Sequence, residues 1–213
     1  MANRTLEMML DRVELKETGS RRDEGEHLVI VTLVWPRPLV AERVSAKTLS
    51  FVGNVVDLKK SDWIERIIFK ERIDGAFGVE LGVTERMSDS EIAEFFKVLG
   101  SSLMKLVGNE AEDLMASSLA GGLIKVPFQF LSKYIANAND ESPNLIASGS
   151  VCLHAEDSWQ DSEVMSFKVP LTAPENIYKD PKVRQHGETH PRGRTVLEAG
   201  ADNGVIEFTG KVY

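Results

Sequence analysis

The chain has 213 residues, 33 acidic against 25 basic side chains, a formal net charge of −8 and 42% hydrophobic residues. That length supports a hydrophobic core within a single domain spanning 1–213, and the composition argues against both wholesale disorder and an integral membrane protein. The acidic balance opposes non-specific contact with nucleic acid or anionic lipid, and one cysteine, Cys152, excludes an internal disulfide and a cysteine-ligated zinc site.

From Met1 no apolar signal-peptide core follows, so a soluble, cytoplasmic setting is expected. Leu6, Met8 and Leu10 alternate with polar partners, and the apolar face then slips to Val13 and Leu15. A slip of one residue in a period of two is what a β-bulge produces. Residues 17–26 form a charged loop. Leu28 to Trp35 is a β-branched apolar run fit for a strand buried on both faces, ended by Pro36 and Pro38. Leu49 to Leu58 reads as a further strand around Gly53. Trp63, Ile67, Phe69 and Ile73 continue the β reading, with a competing helical spacing at Ile64, Ile67 and Ile68. Phe77, Val79, Leu81 and Val83 alternate cleanly, and Asp74-Gly75 suggests a hairpin with the preceding strand.

The period then changes. Ser88 to Glu91 is a capping box, and Ile92, Phe95, Phe96, Leu99, Leu103, Leu106 and Val107 form a helical stripe. Further helical stretches are expected at about 110–120 and 125–136. Strands resume with Ile146 to His154, with Met165, Phe167, Val169 and Leu171, and with Val205 to Tyr213, preceded by a turn at Asn203-Gly204. Residues 174–193 read as an extended loop. This order predicts a mainly β, α+β fold: an antiparallel sandwich with a helical insertion at 88–136. The strand lengths and spacing fit the C2 or immunoglobulin-like kind by analogy of architecture alone.

Each chemical motif has a plainer reading beside it. His186 and His190, four apart with Glu188 between, have a metal-site spacing, but Gly187 stands where a zincin has its glutamate. Exposed imidazoles in a loop are the favoured reading. Glu156, Asp157, Asp161 and Glu163 could ligate calcium, with Asp23, Glu24 and Glu26, or Asp140 and Glu141, as partners from a second loop; the sequence favours a solvated turn. Cys152 and His154 share a strand face without the electropositive setting a thiolate needs, so a buried thiol is expected. Lys179, Lys182, Arg184, Arg192 and Arg194, with Tyr178 as the one aromatic, form a cationic stretch with little stacking capacity.

Residues 114–135 are apolar and carry only Lys125 and Lys133. The segment approaches the ~20 residues a bilayer span needs, but Gly121-Gly122 and Pro127 break it. The sequence assigns no catalytic residue, cofactor or metal ligand. It leads to a non-enzymatic protein-interaction or structural module that self-associates or binds a protein partner through 114–135, with a membrane as the weaker rival. The alternatives are a calcium- or lipid-responsive C2-like membrane-binding domain, and a hydrolase with a dispersed site.

Overall fold

A computed structural model of the chain describes residues 4–19, 26–36, 43–95, 97, 145–159, 163–178 and 194–213. Its spine is β1 (Arg4–Leu15), whose alternation turns Leu6, Met8 and Leu10 inward until they are fully buried. One edge of β1 pairs along its length with antiparallel β11 (Asp202–Val212). Its other edge is shared: β5 (Ile67–Ile73) takes Arg4 to Met9, and β4 (Val55–Asp57) takes Arg12 to Glu14. The β1–β11 register shifts between Leu10 and Arg12, so Asp11 is the extra residue of the expected bulge. After it, Val13 and Leu15 face the core again.

From β11 the sheet passes to β8 (Val164–Thr172), β7 (Leu145–His154), β6 (Ala76–Thr84), β2 (His27–Val34) and β3 (Arg43–Leu49), all antiparallel. β8 and β7 are joined by the single pair Ser148 and Thr172. A side chain at Gly149 would start 2.2 Å from the Pro170 carbonyl oxygen, so only glycine lets the two backbones meet there. The strands diverge beyond it, and the sheet curls until β3 and β5, its two ends, approach each other. Lys47 of β3 donates across that seam to the backbone carbonyl of Glu65.

The curl encloses a continuous core to which all the long strands contribute. Phe167 stacks on Phe208 at 5.3 Å, and Phe77 lies parallel to Trp159 at 6.3 Å. Trp159 sits in a short 3₁₀ turn, Asp157–Trp159, and its indole N–H donates to the Gly210 carbonyl at 3.0 Å. β2 is buried on both faces, as its unbroken apolar run predicts.

Several local expectations are corrected. Nine of the described strands form one curled antiparallel sheet, and β9 (Ile177–Tyr178) and β10 (Thr195–Leu197) pair by themselves. Of the 88–136 block only 88–95 and 97 are described; 89–95 are helical, and Ser88 caps them, its Oγ accepting from Glu91 N and its N–H donating to Glu91 Oε2 at 2.8 Å. The rest of the block lies outside the described residues. Trp63 belongs to a four-residue helix, α1 (Trp63–Arg66), and strand begins only at Ile67. Leu49 and Leu58 belong to no common strand, since the chain turns at Gly53 between β3 and β4. β3 alternates Val44 and Ala46 with Arg43, Ser45 and Lys47, a short pattern that the sequence reading passed over. Asp74-Gly75 makes no hairpin, because β5 pairs with β1 while β6 pairs with β2 and β7.

Asn203-Gly204 lies within β11 and is not a turn. Gly204 has φ +113°, and a Cβ there would lie 2.0 Å from the Glu14 carbonyl oxygen. Beside it Asn203 is fully buried. Its amide donates to the carbonyls of Glu17 at 3.1 Å and Ile146 at 2.8 Å, and its oxygen accepts from Glu17 N at 2.8 Å. Asn203→Ala should cost about 1–3 kcal/mol for each buried group left unpaired, read as a lower urea midpoint with an unchanged slope.

His27 is fully buried at the start of β2. Its Nδ1–H donates to the Thr84 carbonyl at 2.7 Å, and its ring meets Phe51 edge-on. Burial pushes its pKa below the usual 6.5, against the pull of the Thr84 bond and with a smaller push from Arg86. The unfolded chain therefore takes up a proton first as pH falls. His27 should be neutral in the folded protein, and stability should decline on acidification below about pH 6.5. Denaturant titrations across that range should show the decline, and His27→Gln should flatten it.

Candidate interaction surface

The outer face of β1 carries Thr5, Glu7, Asp11 and Arg12, since Leu6, Met8 and Leu10 take the inner one. Two of these, Glu7 and Asp11, are buried carboxylates, and such groups need partners. α1 supplies them from above. The Trp63 indole N–H donates to Glu7 Oε1 at 2.8 Å, and the Arg66 guanidinium donates to Asp11 Oδ1. From β11, Thr209 Oγ1 donates to Asp11 Oδ2 at 2.7 Å, and the Tyr213 hydroxyl reaches Glu7 Oε2 at 3.4 Å. Both carboxylates are thus held as structural acceptors.

Register extends this face across three neighbouring strands. Glu7 stands opposite Lys70 of β5 and Lys211 of β11, and Lys211 stands opposite Val164 of β8. Directly opposed residues share a face, so Lys70, Glu7, Lys211 and Val164 form one row. Arg72, Thr5 and Tyr213 form the next, with Thr5 and Tyr213 exchanging backbone hydrogen bonds. The ammonium of Lys211 lies 4.7 Å from the Tyr213 ring centre, and that of Lys70 lies 5.9 Å from it.

Exposure singles out the same place. Among the described residues five large hydrophobic side chains are exposed, and three of them belong here: Trp63, Val164 and Tyr213. Trp63 is 51% exposed although its indole nitrogen is anchored on Glu7, so an apolar ring is presented in a fixed orientation. Further along the face, Glu207 accepts from Lys168 at 2.6 Å and Lys59 at 2.8 Å, and these bonds pull its pKa down to about 2. Both lysines there are hydrogen-bonded to the same carboxylate. Lys70 lies 3.7 Å from Glu7, and Arg72 and Lys211 stand beside it in the register, with Glu71 and Asp74 close to Lys70 and Arg72. Beside them opens a cleft of about 550 Å³ whose lining includes Trp35, Arg43, Lys70, Arg72 and Asp74.

The other candidates are placed as follows. Cys152 is exposed, contrary to the buried thiol expected, because the outer face of β7 lies open at that point. His154 Nδ1 lies 3.4 Å from the Asp157 carboxylate and faces the amides of Glu156 and Asp157 at 3.3 and 3.4 Å, which organises the turn after β7. Glu156, Asp157 and Glu163 are exposed, and among the described residues no group of three His, Cys, Asp or Glu side chains is placed to hold a metal ion. Glu26 bonds Ser50 Oγ. Asp161, Asp23, Glu24, Asp140, Glu141, His186, Glu188, His190 and residues 114–135 lie outside the described residues, as do Lys179, Lys182, Arg184 and Arg192. Tyr178 pairs with Thr195 in a short ladder of β9 (Ile177–Tyr178) and β10 (Thr195–Leu197). No helix among the described residues is long and apolar enough to cross a membrane.

Sequence reasoning missed the Trp63 surface, although one signal was there. Adjacent Trp63 and Ile64 cannot both face the core from a strand. Comparison of the chain with protein-family models, curated proteins and solved structures finds no match.

Removing the central acceptor tests the arrangement. Glu7→Ala should free the Trp63 indole, shift its fluorescence to the red and lower stability by about 1–3 kcal/mol, as read by emission spectra and urea titration. Unchanged emission would show that Glu7 does not hold the ring.

Proposed function

We propose that the chain is a non-enzymatic protein-interaction module. The observation that carries this reading is the exposure of Trp63, Val164 and Tyr213 around Glu7 on one side of the sheet. Exposed apolar groups gathered in one place mark contact surfaces, and Trp and Tyr are over-represented among residues that dominate binding energy. A module of this kind needs a stable scaffold and a docking face, with no reacting group. The antiparallel sandwich of C2-like or immunoglobulin-like kind is the corresponding reading of the fold. In its favour, two runs of paired strands meet at only Ser148 and Thr172.

A second contact belongs to this proposal, through residues 114–135 within a helical insertion at 88–136. Leu114, Leu119, Leu123, Phe128, Phe130 and Leu131 load that segment with apolar surface, while the described strands already close a continuous core among themselves. Removing apolar area from water is worth about 25 cal/mol per Å². A second copy is the simplest cover, since two-fold homodimers are the commonest oligomers.

Sedimentation velocity at micromolar concentration should show self-association, reduced to monomer in Phe128→Asp or Phe130→Asp with the β spectrum intact. A strict monomer that takes up no partner at either surface would overturn the reading.

A further inference from the structure

We infer that His27 is a proton-operated latch: in mildly acidic solution it lets go of the joint between Thr84 and Met87 and loosens residues 84–95, while the rest of the sheet stays paired. The joint is a β-bulge. Val29 stands opposite Val83, and the next backbone-bonded pair is Glu26 with Met87. Two residues of one strand, His27 and Leu28, therefore oppose three of the other, Thr84, Glu85 and Arg86. An extra residue disrupts the ladder and leaves main-chain groups to be satisfied by other means. Side chains do so here. The His27 Nδ1–H donates to the Thr84 carbonyl at 2.7 Å, and Leu28 N donates to Thr84 Oγ1 at 3.0 Å.

This arrangement requires a neutral ring. With Nδ1–H given to Thr84, Nε2 carries the lone pair, and it is buried with no hydrogen-bond partner among the described residues. A proton added there would leave an N–H and a positive charge buried without an acceptor, a costly state. Among the described residues no carboxylate offsets it. Arg86, the charge that acts on the ring, has the same sign. The Glu26 carboxylate accepts from Ser50 Oγ at 2.7 Å, and Glu85 lies against Gly19. On the β3 side the ring meets Phe51 and stands opposite Leu49, while the Lys47 ammonium is directed to the Glu65 carbonyl.

The strength of pairing decides which part yields. Beyond the bulge β2 is laddered on both sides, to β3 as far as Leu33 and to β6 from Val29 to Val34. Across the joint stand the two bonds between Glu26 and Met87, at 3.0 and 2.8 Å, and the bonds made through Thr84. Hydrating an imidazolium by opening the joint sacrifices far less than unpairing β2, so the opening is local. Met87 and Phe95 are buried, which keeps the open state a minor one whose population the proton raises.

Hydrogen–deuterium exchange of the full chain at pH 7.5 and 5.5, corrected for the intrinsic pH dependence of amide exchange, tests this. Peptides covering 84–95 are read against β11. The folded ring resists protonation, because burial pushes its pKa below 6.5, while in the open joint it takes up a proton at its ordinary value. The open state therefore gains population as pH falls through 6.5, by about tenfold one unit below it. Protection of 84–95 should fall by about that factor, and protection of β11 should hold. His27→Gln keeps an amide donor for Thr84 but cannot be protonated in this range, and it should abolish the pH dependence. Joint loss of protection in 84–95 and β11, unchanged protection of 84–95, or the same loss in His27→Gln would overturn the inference. Should that variant fail to fold, the wild-type imidazole resonances decide. A His27 ring that is charged, or protonated on Nε2, at pH 7.5 would overturn it equally.

Discussion

Burial of Glu7 and Asp11 on the outer side of β1 constrains the whole neighbouring half of the sheet. A carboxylate removed from water is costly unless hydrogen-bonded and paired, and these two come from the strand on which β11, β5 and β4 all register. Asp11 reaches the outer face because the bulge adds a residue there. Its partners come from α1 and β11, and Leu58 N donates to its carbonyl at 2.8 Å. The segment after β4 is therefore tied across β1, and with it Trp63 is carried to its exposed position.

Packing on the inner side acts in concert with this. Where β7 and β8 cross, backbone meets backbone through Gly149, and the turn carrying Trp159 stands between the diverging strands. The indole donates to Gly210 in the strand that carries Lys211 and Tyr213 on its outer side. Inner core and outer surface are thus coupled through the same short stretch of β11. A close-packed interior transmits strain, so substitutions at Gly210, which packs on Trp159 and Leu6, act on the outer face as well as on the core.

The outer face of β1 is organised around its buried acids. Glu7 accepts from Trp63 and Tyr213, Asp11 from Arg66 and Thr209, and Glu207 is held ionised by two ammoniums. What reaches solvent at this face is aromatic and aliphatic area edged by cations.

Much of the local structure was legible in the residues themselves. Alternation marks β1, β6, β8 and β11, the slip at Leu10 marks the bulge, the unbroken run marks β2, and the Ser88 and Glu91 pair marks a helix start. These are signals of short range, set by which face of a strand or turn meets water. Pairing is different, because backbone hydrogen bonds carry no residue identity. The Asp74-Gly75 dipeptide suggested a hairpin, yet β5 crosses to β1. β3 alternates polar Arg43, Ser45 and Lys47 with only two small apolar residues, Val44 and Ala46, too short a pattern to stand out. The exposure of Trp63, Tyr213 and Cys152 likewise followed from what lies above each strand. The sequence by itself determined the strands with one wet and one dry face; the tertiary structure alone decided their neighbours, since contacts across ~200 residues depend on the closure of the whole sheet.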